Sequence, residues 1–389
     1  MPRPECSVAL GGSEDLFHSP AMGPAVRGIH TGDVQLPPPP DRSFASDNAA
    51  GAHPAVLEAV ARANHGHALA YGDDRWTREC ESAFRELFGD VTTLLTFNGT
   101  GANVLALATL LGPVDAVVCT DGAHIAYDEA GASERILGAK LIDLPAPDGK
   151  LRPEQIDEVS HLLGSPHHAQ PAVVSITQSS ELGTVYTADE VAAICDTAHR
   201  MGMAVHIDGA RIANAAAALG GTEAALRSFT VDAGVDVLTF GGTKNGLLGG
   251  EAVVFLRPDL TPRAEYLRKQ VTQLASKMRF VAAQFLALLG DGLWLQLAGH
   301  ANAMARRLYG ATVGIEGVGL ETSPQVNSLF PTLDPDLSKP LQDWSFFWPW
   351  DPSRHQFRWM TAWDTTDDDV ARFAAGVTAA AAATRPAPA

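Results

Sequence analysis

Between Thr92 and Leu256 the chain repeats one pattern: a short apolar run rich in β-branched residues, then a longer amphipathic stretch, then another run. The candidate strands are Thr92–Phe97, Ala116–Thr120, Lys140–Leu144, Ala172–Thr177, Ala204–Ile207, Val235–Phe240 and Ala252–Leu256. Helical periodicity fills intervals between them at Gly101–Leu111, Glu154–Leu163, Ala188–Met201 and Ile212–Leu219. Such alternation predicts an α/β fold: a mostly parallel seven-stranded sheet with helices on both faces. The pattern fails after about Trp294. There a helix carrying His300–Arg307 leads into weaker strands, which predicts a smaller C-terminal α/β domain. With 389 residues, two domains are expected, a large one over 43–294 and a small one over 295–380. Residues 1–42, rich in Pro, Gly and Ser and closing on Pro37–Pro40, read as a flexible or loosely docked extension, and 381–389 as a frayed tail.

Charge excludes one class of function. A formal net charge of -17 is the wrong sign for a nucleic-acid binder. The Ala/Leu/Val-rich stretches read as too short, or too broken by charge, for a membrane span, so no membrane partner is expected. No apolar run of signal-peptide length follows the first residues. Cys6, Cys80, Cys119 and Cys195 are far apart without ligand spacing, and a reducing cytoplasm is the expected location. His65-Gly66-His67 and His167-His168 have no carboxylate set at ligand spacing nearby, so no metal is expected. The aromatic group Trp344, Phe346, Phe347, Trp348 and Trp350 reads as core or interface packing.

In open α/β sheets ligands bind beyond the carboxyl ends of the strands. Four stretches in such places carry reactive residues. Asn98-Gly99-Thr100-Gly101 ends a strand in small residues where a helix begins, and bare amides there suit an anion. Val104 stands where a dinucleotide fingerprint needs Gly or Ala; a plain tight turn is the competing reading. Asp208, directly after an apolar strand, requires a cationic partner. Arg211 supplies it in one reading. In the other, Asp208 faces a protonated pyridine nitrogen and Arg211 is left for a substrate carboxylate. Gly241-Gly242-Thr243-Lys244-Asn245 places a lysine among small residues, where poor solvation favours its neutral, nucleophilic form. Alone, it also fits a surface lysine in a glycine turn. His124 opens a helix after the second strand, placed either to stack on a planar ring or to serve structure.

Taken in order, these segments resemble the threonine aldolase/β-eliminating lyase family of fold-type I pyridoxal-phosphate enzymes. The resemblance runs from about Phe44 to about Phe373. It is carried by Ser46-Asp47-Asn48, Tyr71-Gly72-Asp73-Asp74, Asn98-Gly99-Thr100, His124 with Glu129, His206-Ile207-Asp208-Gly209-Ala210-Arg211, Gly242-Thr243-Lys244 and Phe357–Trp363. It implies an aspartate-aminotransferase-like large domain and pyridoxal 5'-phosphate bound as a Schiff base on Lys244. It further implies Asp208 at the pyridine nitrogen, His124 on the ring face, and Asn98, Gly99, Thr100 and Thr243 near the cofactor. Arg211, Arg358 and Ser46 would grip the substrate carboxylate, with Tyr71 at the mouth, contributed across a subunit interface. A homotetramer built as a dimer of dimers with shared sites is the implied assembly.

The implied reaction is reversible aldol cleavage of L-threonine, L-allo-threonine and related β-hydroxy-α-amino acids to glycine and an aldehyde. Many threonine aldolases carry Glu-Asn-Thr-His-Asn-Gly after the strand that ends here at Thr177. This chain reads Gln178-Ser179-Ser180-Glu181-Leu182-Gly183, so Glu181 takes the place of that His. His124, Glu181 or an ordered water is the base for the β-hydroxyl. The alternatives are β-elimination or racemisation with the same cofactor and, from another class, a nucleotide-binding oxidoreductase on a similar sheet.

Overall fold

The computed structural model of the chain describes residues 30–31 and 34–384. Seven strands form the central sheet: β1 (Thr92–Thr96), β2 (Asp115–Thr120), β3 (Lys140–Leu144), β4 (Gln170–Thr177), β5 (Ala204–Gly209), β6 (Val237–Gly241) and β7 (Glu251–Phe255). Their spatial order is β1-β7-β6-β5-β4-β2-β3. Strands β2 to β6 pair in parallel, while β7 runs antiparallel to both β6 and β1. The exception has a simple cause. Parallel neighbours need a crossover of a dozen residues or more, and Gly242–Gly250 is too short for one. The chain therefore turns straight back, and Lys244 rides on that turn.

Period-two alternation distributes β6 and β7 between two cores. Leu238, Phe240, Ala252 and Val254 enter the main core, where the rings of Phe84, Phe240, Phe285 and Trp294 meet edge-on or tilted. Val237, Val253 and Phe255 face the opposite side, against Ala102, Leu105 and Ala106. Both faces of the sheet are thus covered. Helices α1 (Pro54–Ala63) and α2 (Arg75–Phe88) lie with the main core, and α3 (Gly99–Leu110) covers the other face. Helix α4 (Ala188–Arg200) begins with a Thr187/Glu190 capping box, which satisfies two otherwise orphaned amides.

Helices α5 (Met278–Leu289) and α6 (Leu293–Thr312) are joined through Gly290–Gly292. Taken together, Met278–Thr312 is long and apolar enough to cross a membrane, contrary to the expectation that no such run exists. The span is broken, however, where Asp291 takes φ 51° and Gly292 φ 66°. Helix α5 packs on α1 and α2. Its apolar surface therefore lies against protein. The predicted helix Glu154–Leu163 is also two pieces, an α-helix over Pro153–Glu158 and a 3-10 turn over Val159–Leu162.

A second core gathers Phe44, Leu329, Phe347, Phe357, Trp359 and Phe373 between short antiparallel strands and the helix α7 (Asp367–Ala383). The longest of these strands, Gln356–Met360, carries Arg358. Phe347 and Trp344 are buried there, whereas Trp348 is exposed. The expected loose extension lies partly outside the described residues. Over 36–42 the chain is docked: Leu36 is buried, Trp344 Nε1 donates to the Pro37 carbonyl at 2.7 Å, and Arg42 pairs with buried Asp369 at 3.1 Å. Polyproline backbone carbonyls are free acceptors, which lets this apparently inert segment be pinned.

Candidate active site

The sheet delivers most of the sequence-predicted residues to one end. Asn98 to Thr100 follow β1, His124 follows β2, Glu181 follows β4, Asp208 closes β5 with Arg211 just beyond it, and Lys244 follows β6. Asn98 caps α3 by accepting the Gly101 amide at 2.8 Å. The preceding amides of Gly99 and Thr100 have no protein acceptor among the described residues, an arrangement suited to an anion. Gln273 closes the back of this turn, accepting the Phe97 amide at 2.9 Å and occupying the space that a side chain at residue 101 would need.

The Lys244 turn is fixed from several directions. Asn245 Nδ2 donates to the Trp294 carbonyl at 2.9 Å, and the His53 amide donates to the Gly246 carbonyl at 2.8 Å. The Gly250 amide donates to Thr243 Oγ1 at 3.1 Å, and the Gly242 amide to Glu251 Oε2 at 2.7 Å. Gly246 adopts φ 94°, where any other residue would be strained. The lysine amine makes no hydrogen bond or ion pair among the described residues. Its pKa is held below the ordinary lysine value by the charge of Arg211 and by burial, against the opposing charges of Asp47, Asp208 and Glu251. Burial pushes the Glu251 carboxyl up to about 7.

Arg211 does not pair with Asp208, which corrects the first reading of that motif. Its Nε and Nη2 grip both carboxylate oxygens of Asp47 at 2.7 and 3.0 Å, and Asn327 Nδ2 adds a third donor at 3.1 Å. Asp208 instead accepts from Asn103 Nδ2 at 2.8 Å and from the Ala210 amide at 3.0 Å, with no cationic side chain in hydrogen-bond contact. A buried carboxylate so placed retains acceptor capacity for a further charged donor. The same Asn103 nitrogen donates to Glu129 Oε1 at 3.0 Å, and that oxygen also meets His124 Nδ1 at 2.9 Å. The hydrogen bond that Glu129 accepts raises the His124 pKa above its ordinary value, outweighing burial.

Glu181 is half-buried at the edge of this group. Its Oε1 accepts from Thr177 Oγ1 and from the His124 amide, both at 2.8 Å, while Oε2 has no partner. Burial raises its pKa. Arg358 reaches the site from the second core, with Nη2 at 3.4 Å from the Ala45 carbonyl and its Nε buried without an acceptor. Burial and then the nearby Arg211 charge push its pKa down to about 10. Ser46 caps the short turn that carries Asp47. Tyr71 is the exception. Its amide donates to the Ser276 carbonyl at 3.0 Å, its ring lies under Lys269, and half of it is exposed; nothing ties it to Lys244 within one chain.

Asp47, Asn103 and Glu251 have no assigned role in the reading of the sequence. Two had a legible signal: Asn103 is the only amide side chain inside an otherwise apolar helix, and Glu251 the only charge in an apolar strand. Gln273 and Asn327 come from loops without any.

The residues fit pyridoxal phosphate. They offer free amides at a helix start, a buried carboxylate without a cation, and an unpaired lysine of lowered pKa. The β-eliminating lyase family matches residues 43–334. A low specificity L-threonine aldolase from a Pseudomonas species is 42% identical over 342 residues, covering 87% of this chain and 97% of that relative. The structure of a Leishmania major threonine aldolase superposes with a TM-score of 0.79 at 31% identity, covering 85% of this chain and 97% of that one. Sphingomonas wittichii serine palmitoyltransferase shares the fold at 17% identity, with a TM-score of 0.66 over 90% of this chain and 88% of its own. The sheet, the lysine turn and the sequence similarity converge: the chain belongs to the β-eliminating lyase family of fold-type I pyridoxal-phosphate enzymes.

Proposed function

We propose that this lyase cleaves L-threonine, L-allo-threonine and related β-hydroxy-α-amino acids to glycine and an aldehyde, using pyridoxal 5'-phosphate attached to Lys244. The observation that carries the reading is the unpaired, charge-depressed amine of Lys244, on the same strand ends as a buried Asp208 that lacks a cation. The bound cofactor supplies an electron sink for the bond broken at the α-carbon. Asp208 would hold the ring nitrogen and the Gly99 and Thr100 amides, with the Asn98 cap, would hold the phosphate, while Thr243 shapes the lysine turn. Arg211, fixed in place by Asp47, and Arg358 with Ser46 orient the substrate carboxylate, which decides which α-carbon bond is broken.

The β-hydroxyl proton goes to His124. Glu129 holds its Nδ1, which leaves Nε2 free to take a proton, and the raised pKa strengthens it as a base. Glu181 acts from behind, fixing the His124 main chain through the amide bond. Large apolar side chains are exposed at Leu69, Tyr71 and Phe97, the last next to Asn98, and Tyr71 holds φ 62°, a strained conformation for a non-glycine residue. This favours a dimer of dimers in which Tyr71 serves the partner's site. Cys80, Cys119 and Cys195 are free buried thiols, in keeping with a cytoplasmic location.

Incubated with L-threonine, the cofactor-loaded protein is expected to release glycine and acetaldehyde in equal amounts. Pyruvate and ammonia from serine, with no acetaldehyde from threonine, would make it a β-eliminating enzyme instead. Arg358→Ala should raise KM for L-threonine about ten- to a hundredfold with a smaller change in kcat, because a charged hydrogen-bonding group is lost. An unchanged KM would remove Arg358 from the carboxylate clamp.

A further inference from the structure

Asn103 is 1% exposed on a helix whose other inward residues are apolar, and its Oδ1 is buried without any partner. An orphaned buried carbonyl is costly, so an apolar residue would serve packing better. The other end of the amide explains it. One Nδ2 carries two hydrogens, and each goes to a different carboxylate: Asp208 Oδ2 at 2.8 Å and Glu129 Oε1 at 3.0 Å. Rotating the amide would set Oδ1 against both carboxylate oxygens and lose both bonds, so the orphan is the consequence of serving two acids at once. Glu129 passes the constraint on to His124 Nδ1 at 2.9 Å. Its second oxygen is likewise buried and unpartnered, so Asn103 and His124 are the groups that hold this carboxylate.

We propose that Asn103 is a positioning residue that joins Asp208, Glu129 and His124 into one hydrogen-bonded unit, so that the acid facing the cofactor nitrogen and the imidazole facing the substrate are set together. The inference rests on the function proposed above. Donating to both acids lets the two carboxylates sit close on one side of the site, because each takes a hydrogen from the same amide. Without it, Asp208 keeps only the Ala210 amide, and Glu129 keeps only His124. The groups bearing on the His124 charge are Glu129 and Asp208, which favour its protonated form, and Lys244, which opposes it; Glu181 meets only its amide. Losing the Asn103 donor makes the His124–Glu129 pair hold its proton more tightly.

The test uses the full chain carrying Asn103→Leu. The variant should still melt cooperatively without cofactor, at a temperature below wild type, because two buried carboxylates each lose a donor. Its dissociation constant for pyridoxal phosphate, read by equilibrium dialysis, should rise about ten- to a hundredfold. The acidic limb of its kcat/KM profile should move to higher pH. In a double-mutant cycle with Glu129→Gln, the two losses in cofactor affinity should be strongly non-additive. Affinity and pH profile equal to wild type, or additive losses, would overturn the role of Asn103. Should Asn103→Leu fail to melt cooperatively, Asn103→Asp carries the same two expectations, with the shifts at least as large. A wild-type chain that binds no cofactor would overturn the proposed function itself, which separates the two failures.

Discussion

Lys244→Ala is expected to lower kcat/KM for L-threonine by roughly three to six orders of magnitude, the scale on which enzymes lose rate when a covalent nucleophile is removed. The geometry is built around this amine. Four hydrogen bonds immobilise its turn, yet the amine itself is left without one. Arg211 and burial depress its pKa, which increases the neutral fraction that can attack. Lys244→Arg separates nucleophile from charge: it keeps a cation in place but offers no neutral amine, so it should be as inactive as alanine. The phosphate and ring contacts proposed above lie elsewhere, so both variants should still bind the cofactor, but dialysis should remove it more readily than from wild type. Borohydride reduction followed by peptide mapping should fix the pyridoxyl group to Lys244 in the wild type alone. Turnover in the alanine variant within about tenfold of wild type would place the covalent attachment on another residue.

How much of this site can be read in advance depends on where its parts come from. All the central strands except the edge strand β3 are mostly buried apolar runs bounded by breakers, which made them legible. Lys244, Asp208, His124 and the Asn98 turn follow from that reading, since a parallel sheet brings successive strand ends together. The partnerships did not follow. Asp47 lies 164 residues before Arg211, in a stretch with no periodicity, and only the docking of its turn against the Lys244 turn puts them in contact. The nearer acid, Asp208, is the partner of Arg211 in one of the two readings of that motif, and Asp47 is in neither, because sequence distance was the only guide. Arg358 was legible as a motif, but its route to the site, through a small sheet of two- to five-residue strands, was not. Such strands are set by tertiary packing around Phe347, Trp359 and Phe373 more than by local pattern.

The Asp47–Arg211 pair shows why those hidden partnerships matter. Asp47→Ala should destabilise the protein by about 3–5 kcal/mol, the cost of leaving one charge of a buried pair uncompensated. Asp47 is 2% exposed and the Arg211 side chain 14%, so solvent does little to replace the lost partner. Burial alone would raise the Asp47 pKa, but the charge and hydrogen bonds of Arg211, then the charge of Lys244, bring it below the ordinary value. An acid with a depressed folded pKa contributes stability above its unfolded pKa of about 3.9 and loses it as pH falls through the folded value. Denaturant midpoints should therefore differ widely between wild type and Asp47→Ala at neutral pH and converge under acid conditions. The variant should also move the chemistry. Removing Asp47 takes away a charge that raises the Lys244 pKa and leaves Arg211, which lowers it, unopposed. The amine should then titrate at lower pH, in the variant's pH profile, than in wild type. Equal stability at neutral pH, or a lysine titration that moves up, would show that Asp47 is not what holds Arg211 and tunes the lysine.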